Sequence, residues 1–258
     1  MRYDKQNKKL NALQEEVALL RMENSRLHTQ SQSVQEILDS TLHEVRRFSA
    51  QLSKFAERLS RDTDGQQQLN QTAMSVFYTA GMISSRLAYT DIELNPMALE
   101  SQTAIRSGIY KKFDKAKRIL AEEARDRRVT IRFEGESRIE IDALPVFELL
   151  PFVLIDNGIK YSPPDQSLIV EFEAASGRQV VTVRSIGPTV SQKELPRLFD
   201  KGFRGASTKT MPGQGLGLFL AKRVCEYHGV NIRADSGPGV RYQLNGIDYT
   251  EFRIELRF

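Results

Sequence analysis

Residues 211–224, with the sequence MPGQGLGLFLAKRV, join a glycine-rich loop to the start of an apolar helical pattern. Gly213, Gly215 and Gly217 alternate with larger residues, and the helical pattern begins at Leu218. Glycine allows the backbone to approach a ligand closely, and a helix that follows points unpaired N–H groups and the positive end of its dipole toward that ligand. The stretch therefore predicts a phosphate-binding loop, although the glycine spacing alone fits an exposed surface loop equally well.

Two common phosphate-binding motifs do not fit this stretch. The dinucleotide-binding motif G-x-G-x-x-G directly follows a strand, but here a polar loop, GASTKTMPGQ, leads into the glycines. The P-loop requires Gly-Lys-Ser/Thr, whereas Lys209 and Thr210 follow Thr208. If a nucleotide binds at this loop, a third kind of site has to hold it.

The composition limits the class of protein. Of the 258 residues, 40% are hydrophobic and 27% are charged, which is typical of a globular protein with one large or two modest domains. The net charge of +4 is small and the basic residues are scattered among acidic ones, which argues against a nucleic-acid partner. One cysteine, Cys225, excludes an internal disulfide framework. Because no apolar run approaches the ~20 residues of a membrane span and the first residues are polar, we expect a cytoplasmic protein without a membrane segment.

A heptad pattern runs through the first third of the chain. With Leu10 at position a, apolar residues occupy most a and d positions as far as Leu59, and no Pro or Gly interrupts residues 10–61. Such a repeat predicts a coiled coil, and Asn24 at an a position favours a parallel dimer in fixed register. The heptads alone fit a purely structural rod equally well.

A second helical pattern follows a turn at residues 61–65 and stops before Pro96. Two helices joined by a short turn form a hairpin, and a dimer of hairpins forms a four-helix bundle. We therefore expect three regions: a coiled coil over residues 1–38, a helical hairpin over residues 39–95 and a further domain over residues 102–258.

Helical and strand patterns are mixed in the last region. Helices are predicted over residues 104–125, 143–161 and 216–228, and strands over residues 129–135, 167–174, 179–185, 230–234 and 252–258, with a hairpin at residues 175–178. This mixture indicates an α+β sandwich with helices on one face of a mixed sheet. The expected fold is thus multidomain, with an N-terminal coiled coil and helical hairpin followed by an α/β sandwich.

Four blocks of the last region occur in a recognisable order: residues 157–162 (NGIKYS), 183–190 (VRSIGPTV), 198–205 (LFDKGFRG) and 213–218 (GQGLGL). They resemble the N, G1, F and G2 boxes of sensor histidine kinases, whose ATP-binding domain belongs with gyrase-type and Hsp90-type ATPases. The resemblance extends over about a hundred residues. It implies a GHKL-type (Bergerat-type) domain that binds ATP and Mg²⁺.

The resemblance implies a role for residues in each block. Asn157 would bind Mg²⁺ through its side-chain carbonyl, Lys160 would place a positive charge on the phosphates, and Tyr161 would line the nucleotide pocket. The other residues implied to contact the nucleotide or to reach its phosphates are Ser185, Gly187, Arg204, Lys209, Gly213, Gly215, Leu216 and Gly217. Without the other blocks, Asn157 also fits a helix cap and Tyr161 fits a core residue.

Residues 42–46, LHEVR, resemble the H box of the same kinases. His43 falls at heptad position f, which faces solvent. The resemblance implies that His43 accepts the γ-phosphoryl group of ATP and that Glu44 orients the imidazole and accepts its proton. The phosphoryl group would then pass to an aspartate on the receiver domain of a separate response regulator.

Several positions depart from the family pattern. Val153 stands where an N-box asparagine is expected, Ser185 replaces the G1 aspartate, Thr189 replaces the second G1 glycine, and Pro151 is expected to kink its helix. These departures support an alternative, a degenerate and non-catalytic kinase-like dimeric scaffold or regulatory module with weak or no nucleotide binding. A gyrase-type ATPase is less favoured because Val153 cannot activate water. The intact glycine block and the histidine–glutamate pair favour a protein-histidine kinase.

Overall fold

The computed structural model of the chain describes residues 2–62, 67–94, 97, 102–175, 178–209, 211 and 215–258. By its internal contacts the chain divides into two units, Met1–Ser49 and Ala50–Phe258. Two long helices come first, α1 (Arg2–Asp62) and α2 (Gln67–Leu94). Both agree with the helical patterns of the sequence, and most of the turn expected between them lies outside the described residues.

Several apolar heptad residues of the first unit are exposed in the described part of the chain. Leu13, Val17, Leu20 and Leu27 occupy a and d positions and are all exposed. Exposed apolar residues in this regular spacing are what a coiled-coil helix presents before it meets a partner. None of the described helices combines the length and the apolar character that a bilayer crossing requires.

The second part of the chain alternates between helices and strands. Its elements are β1 (Ile105–Gly108), α3 (Ile109–Ile119), α4 (Ala121–Asp126), β2 (Thr130–Gly135), β3 (Glu140–Ala143), a 3₁₀ helix (Pro145–Glu148), α5 (Leu149–Tyr161), β4 (Ser167–Ala175), β5 (Arg178–Pro188), two further 3₁₀ helices (Leu195–Phe199 and Ala206–Thr208), α6 (Gly217–Tyr227), β6 (Asn231–Ser236), β7 (Tyr242–Leu244) and β8 (Ile247–Arg257). This is the mixed α/β architecture that the sequence predicts.

One mixed sheet organises these elements. Its order is β2–β4–β5–β8–β6, with β7 also paired to β8, and a smaller sheet pairs β1 with β3. β2 and β4 are parallel, whereas β4 and β5 are antiparallel, which confirms the predicted hairpin pairing. Strands with one buried face alternate between inward and outward side chains, and β5 follows this rule from Arg178 to Gly187.

The core lies between the sheet and the helices α3, α5 and α6. Phe113 of α3, Ile155 of α5 and Val224 of α6 are fully buried, and they join the inward residues of β4 and β5 in one cluster. Burying a side chain of this size stabilises the fold by about 1.5–3 kcal/mol. The opposite face of the sheet carries charged residues, where Arg184 of β5 forms an ion pair with Glu171 of β4.

Three short strands were not predicted. Residues 105–108 form β1 instead of beginning a helix, β3 occupies residues 140–143, and β7 pairs with β8. Strands of three or four residues are too short to show a clear alternation. The turn between β7 and β8 did carry a signal, because Asn245 and Gly246 have φ values of 52° and 76° and Asn-Gly favours this hairpin turn.

Pro151 does not kink α5, so that expectation was wrong. The helix begins at Leu149, after the 3₁₀ helix Pro145–Glu148, and Pro151 is therefore its third residue. The N–H groups of the first helical turn have no partner within the helix. Proline consequently removes no α-helical hydrogen bond at this position.

Candidate nucleotide-binding site

A cavity of about 620 Å³ lies between the sheet, α5, α2 and the loop that leads into α6. This volume is within the range of small-molecule sites. Nine of the predicted nucleotide contacts line it: Asn157, Lys160, Tyr161, Ser185, Gly187, Arg204, Gly215, Leu216 and Gly217. The fold thus brings residues from all four sequence blocks to one cavity.

The other four predicted residues are not among the described residues that line the cavity. Lys209 is exposed and is not among the residues that line the cavity. Gly213 lies outside the described residues. His43 and Glu44 belong to α1, but their side chains are outside the described part of the structure. The roles of these four residues stay predictions.

The last turn of α5 presents three predicted residues to the cavity. Asn157, Lys160 and Tyr161 share a helix face because they are three and four residues apart. The Nζ atom of Lys160 lies 5.1 Å from the centre of the Tyr161 ring. The side-chain amide of Asn157 forms no hydrogen bond with the residues that the structure describes. Its oxygen is therefore available to a ligand.

Asp156, which the sequence did not single out, also lines the cavity. Burial raises the pKa of its carboxyl, and the nearby Glu123 raises it further, while Lys160 and Arg127 oppose the shift. No group of three or more His, Cys, Asp or Glu residues is arranged to hold a metal within the described ranges. A Mg²⁺ ion bound through Asn157 or Asp156 would therefore take most of its oxygen ligands from phosphate and water.

The glycine-rich loop meets α5 at close range. Gly215 has a φ of +68°, and a Cβ atom on it would lie 2.5 Å from the carbonyl oxygen of Phe203. A Cβ atom on Gly217 would lie 3.2 Å from Nδ2 of Asn157 and 3.3 Å from Cγ1 of Val153. Backbone conformation requires the first glycine, and proximity to α5 requires the second. Since α6 begins at Gly217, the unpaired N–H groups of its first turn lie at the cavity.

The segment between the F and G2 blocks is folded back on itself. Arg204, which lines the cavity, donates hydrogen bonds from Nη2 to the carbonyl oxygens of Thr208 and Met211. Glu194 accepts hydrogen bonds from the N–H of Ala206 (2.8 Å) and from Ser191, and these bonds lower the pKa of its carboxyl. Arg204 therefore holds this segment together at the edge of the cavity.

The sheet supplies an apolar floor. Val183, Ser185 and Gly187 of β5 line the cavity, and so do Phe252 and Ile254 of β8. Val183 pairs with Ile254 and Ser185 with Phe252 in the register of the two strands. Within these two strands, which are described throughout, the hydroxyl of Ser185 is the one polar side-chain group that faces the cavity.

Helix α2 forms a wall that the sequence did not predict. Thr79, Met82, Ile83, Arg86 and Leu87 all line the cavity. The spacing of these residues shows a helical face, but nothing in the spacing states which surface that face will cover. This part of the site depends on tertiary packing, which a single sequence does not reveal.

An ion-paired cluster anchors α2 beside the cavity. Nζ of Lys115 lies 2.9 Å from Glu148 and 5.5 Å from the ring centre of Tyr78 on α2. Nζ of Lys112 lies 2.6 Å from the same carboxylate. Burial alone would raise the pKa of Glu148, but the two lysines outweigh burial and lower it. The carboxylate therefore stays ionised and connects α3 with the start of α5.

Comparison with known proteins identifies the domain that contains this cavity. The family model described as "Histidine kinase-, DNA gyrase B-, and HSP90-like ATPase" matches residues 148–258. This part of the chain is therefore similar to that family of ATP-binding domains, in agreement with the four blocks.

The similar proteins are sensor histidine kinases. Sensor protein BceS of Halalkalibacterium halodurans is 35% identical over 117 residues, which cover 43% of this chain and 35% of that protein. Sensor protein CzcS of Cupriavidus metallidurans is 27% identical over 203 residues, which cover 74% of this chain and 41% of that protein. The solved structure of the mycobacterial sensor histidine kinase MprB shares 22% identity, with a TM-score of 0.47, over 60% of this chain and 97% of that one. The matches thus span 35% and 41% of the lengths of BceS and CzcS, and they support a histidine kinase with a GHKL-type ATP-binding domain.

Proposed function

We propose that this chain is a histidine kinase that transfers the γ-phosphoryl group of ATP to His43 and then to an aspartate on a separate response regulator. The observation that carries the proposal is the convergence of nine predicted residues, drawn from four separate sequence blocks, on one cavity. The similarity to sensor histidine kinases supports the same reaction.

Each side of the cavity suits one part of the nucleotide. The apolar floor at Val183 and Phe252 accepts a flat base, while Lys160 and the N–H groups at the start of α6 attract the phosphates. Asn157 offers a carbonyl oxygen to Mg²⁺, which when bound neutralises phosphate charge during transfer. Arg204 also lines the cavity, and its guanidinium would add positive charge for the terminal phosphate.

The transfer itself needs an imidazole and a proton acceptor. One ring nitrogen of His43 forms a bond to the γ-phosphorus as the bond from that phosphorus to the β–γ bridging oxygen breaks, and ADP leaves. Glu44 accepts the proton from the other ring nitrogen. Attack by an aspartate carboxylate of the response regulator on the phosphorus then breaks the P–N bond and regenerates His43.

The proposal includes a homodimer through the coiled coil and a four-helix bundle. Its support is the row of exposed apolar heptad residues on α1, among them Leu20 and Leu27. Isolated helices seldom keep such a row in water, because burying each leucine contributes about 1.5–3 kcal/mol. A second copy of the chain offers the same row in matching register.

A non-catalytic regulatory module is the second candidate. One contact favours it: Val153 presents a methyl group to Gly217 beside Asn157, where an oxygen ligand would strengthen the metal site. In that case the chain would bind Mg²⁺-nucleotide weakly and act through its dimeric form. The two candidates differ in whether a phosphoryl group reaches the histidine.

Labelling with γ-phosphate-tagged ATP tests the proposal. We expect acid-labile label on the wild-type chain, its loss in His43→Ala, and unchanged Mg²⁺-ATP affinity by calorimetry, because the mutation removes only the acceptor. His28→Ala is the matched control, since His28 is an exposed histidine of the same helix and should leave labelling intact. Label that persists in His43→Ala would refute the choice of acceptor, and ATP binding without label in the wild type would favour the regulatory module.

A further inference from the structure

We propose that the base site of this cavity accepts 6-oxo purines as well as 6-amino purines, so that the chain binds guanosine and adenosine nucleotides with similar affinity. Ser185 is the residue that sets this tolerance. The inference rests on the proposed function, because it specifies the substrate class of the same nucleotide site.

The position of the base follows from the polarity of the cavity. Lys160, Arg204 and the N–H groups at the start of α6 are the features that attract an anionic group. The strands β5 and β8 contribute apolar side chains and backbone, with Val183 opposite Ile254 in the register. A planar aromatic base is the apolar part of a nucleotide, and the sheet floor is the surface that suits it.

The hydroxyl of Ser185 is unused by the protein. Ser185 is only 8% exposed and lines the cavity, yet its Oγ forms no hydrogen bond with any residue that the structure describes. Phe252, its partner in the strand register, has no polar side-chain atom to offer. Because Ser185 lines the cavity, its hydroxyl is available to a ligand there. A polar edge of the bound base is the partner that the cavity provides.

A hydroxyl does not distinguish the two kinds of purine edge. It accepts a hydrogen bond from the 6-amino group of adenine and, after rotation, donates one to the 6-oxygen of guanine. An ionised carboxylate only accepts, so it would bind the amino group and repel the oxygen. Among the described residues that line this cavity, the carboxyl group is that of Asp156, which lies on α5 and not on the sheet floor. Ser185 can therefore form a hydrogen bond with the 6-amino group of adenine or with the 6-oxygen of guanine.

Calorimetry with Mg²⁺-ADP and Mg²⁺-GDP tests the inference without turnover. For the wild type we expect dissociation constants within about tenfold of each other, because one hydrogen bond replaces another. Ser185→Asp should raise the preference for ADP over GDP by a further factor of about ten or more. The carboxylate would face the 6-oxygen of guanine, and a site that leaves such polar groups unpaired discriminates strongly. Ser185→Asn is the matched control: its amide has the same size as the carboxylate but keeps a donor, and it should retain GDP binding.

The outcomes separate the two proposals. A wild-type preference for ADP of more than about a hundredfold, or equal ratios for the Asp and Asn variants, would overturn the inference. ADP binding with histidine labelling but no GDP binding would overturn the inference alone. If neither nucleotide binds the wild-type chain at millimolar concentration, the proposed kinase function fails together with it. If circular dichroism shows that a variant does not fold, the ratio of the wild-type dissociation constants for ADP and GDP tests the inference by itself.

Discussion

Gly217 determines how closely the glycine-rich loop approaches α5. A Cβ atom at this position would lie 3.2 Å from the amide of Asn157 and 3.3 Å from Val153, both tighter than ordinary contacts between carbon and its neighbours. A side chain at this position would push Val153 or the amide of Asn157 away from the start of α6 by a few tenths of an ångström. The glycine therefore positions the proposed metal ligand against the proposed phosphate site.

Gly217→Ala tests this close approach. The added methyl should displace the Asn157 amide, and we expect Mg²⁺-ATP to bind about tenfold more weakly, a loss of about 1.4 kcal/mol, in calorimetry. Gly108→Ala is the control, because the nearest atom to a Cβ atom there is a lysine carbon at 3.8 Å. Equal affinities for the two variants would show that the loop does not depend on this glycine.

His228 has a structural role at the end of α6. Its Nδ1–H donates to the carbonyl oxygen of Val224 (2.7 Å), and its Nε2 accepts from the N–H of Leu144 (3.0 Å). Its ring also packs against Phe147, with 4.9 Å between centroids. In the neutral imidazole, both ring nitrogens therefore form a hydrogen bond. Burial lowers the pKa of His228 below its ordinary value of 6.5, against the opposing bond to Val224.

The lowered pKa of His228 predicts a loss of stability in mild acid. The unfolded chain takes up a proton at this residue near pH 6.5, before the folded chain does, so the stabilisation is complete above pH 6.5 and declines as the pH falls through the folded pKa. Urea titrations at pH 7.5 and pH 5.5 should show this decline in the wild type. His228→Gln should be less stable by about 1–3 kcal/mol at pH 7.5 and should depend less on pH. His28→Gln, on an exposed face of α1, should behave as the wild type does.

Among the elements, those with strong local signals were predictable. The end of α5 and the start of α6 were placed correctly because a run of apolar residues at helical spacing continues through both. The hairpin of β7 and β8 was missed even though Asn245-Gly246 marks it, and attention to that dipeptide would have found it. The strands β1 and β3 pair over only four residues each, too few for a pattern.

Helix α2 is the element whose role no local signal discloses. Ile83 lines the cavity, while Val76, two turns earlier on the same helix, does not. The difference arises from where the helix packs, through contacts such as that between Lys115 and Tyr78. The α2 wall around the proposed nucleotide therefore depends on contacts between residues far apart in sequence.

The wall formed by α2 can be tested with a charge. Ile83→Asp should place a carboxylate in the cavity wall, and repulsion of about 1–2 kcal/mol between it and the anionic nucleotide should weaken Mg²⁺-ATP binding by about tenfold. Val76→Asp is the matched control, because both side chains are similarly exposed, at 36% for Ile83 and 42% for Val76, and only Ile83 lines the cavity. Calorimetry measures the Mg²⁺-ATP affinity of both variants. A similar loss of affinity in Val76→Asp would indicate a general effect on the helix.

At the scale of the whole molecule, the chain combines a domain similar to the histidine kinase-like ATPases with a long helix that exposes several apolar heptad residues. The domain buries its own core around residues such as Phe113 and Ile155. The helix does not bury its apolar heptad row in the same way, because Leu13, Leu20 and Leu27 are exposed. Heptad spacing made this helix predictable from sequence, whereas the second copy that we propose to cover it is a property of the assembly.

The proposed dimer predicts opposite outcomes for two adjacent leucines. Leu20 occupies a d position and Leu19 a c position, although both are well exposed in the single chain, at 63% and 68%. If a second copy covers the a and d row, Leu20→Asp removes about 1.5–3 kcal/mol of burial from each chain and should raise the dimer dissociation constant by about 10² to 10⁴. Leu19→Asp stays in water and should remain dimeric by light scattering at micromolar concentration. Equal behaviour of the two variants would place the interface elsewhere, because exposure in the single chain does not distinguish the two leucines.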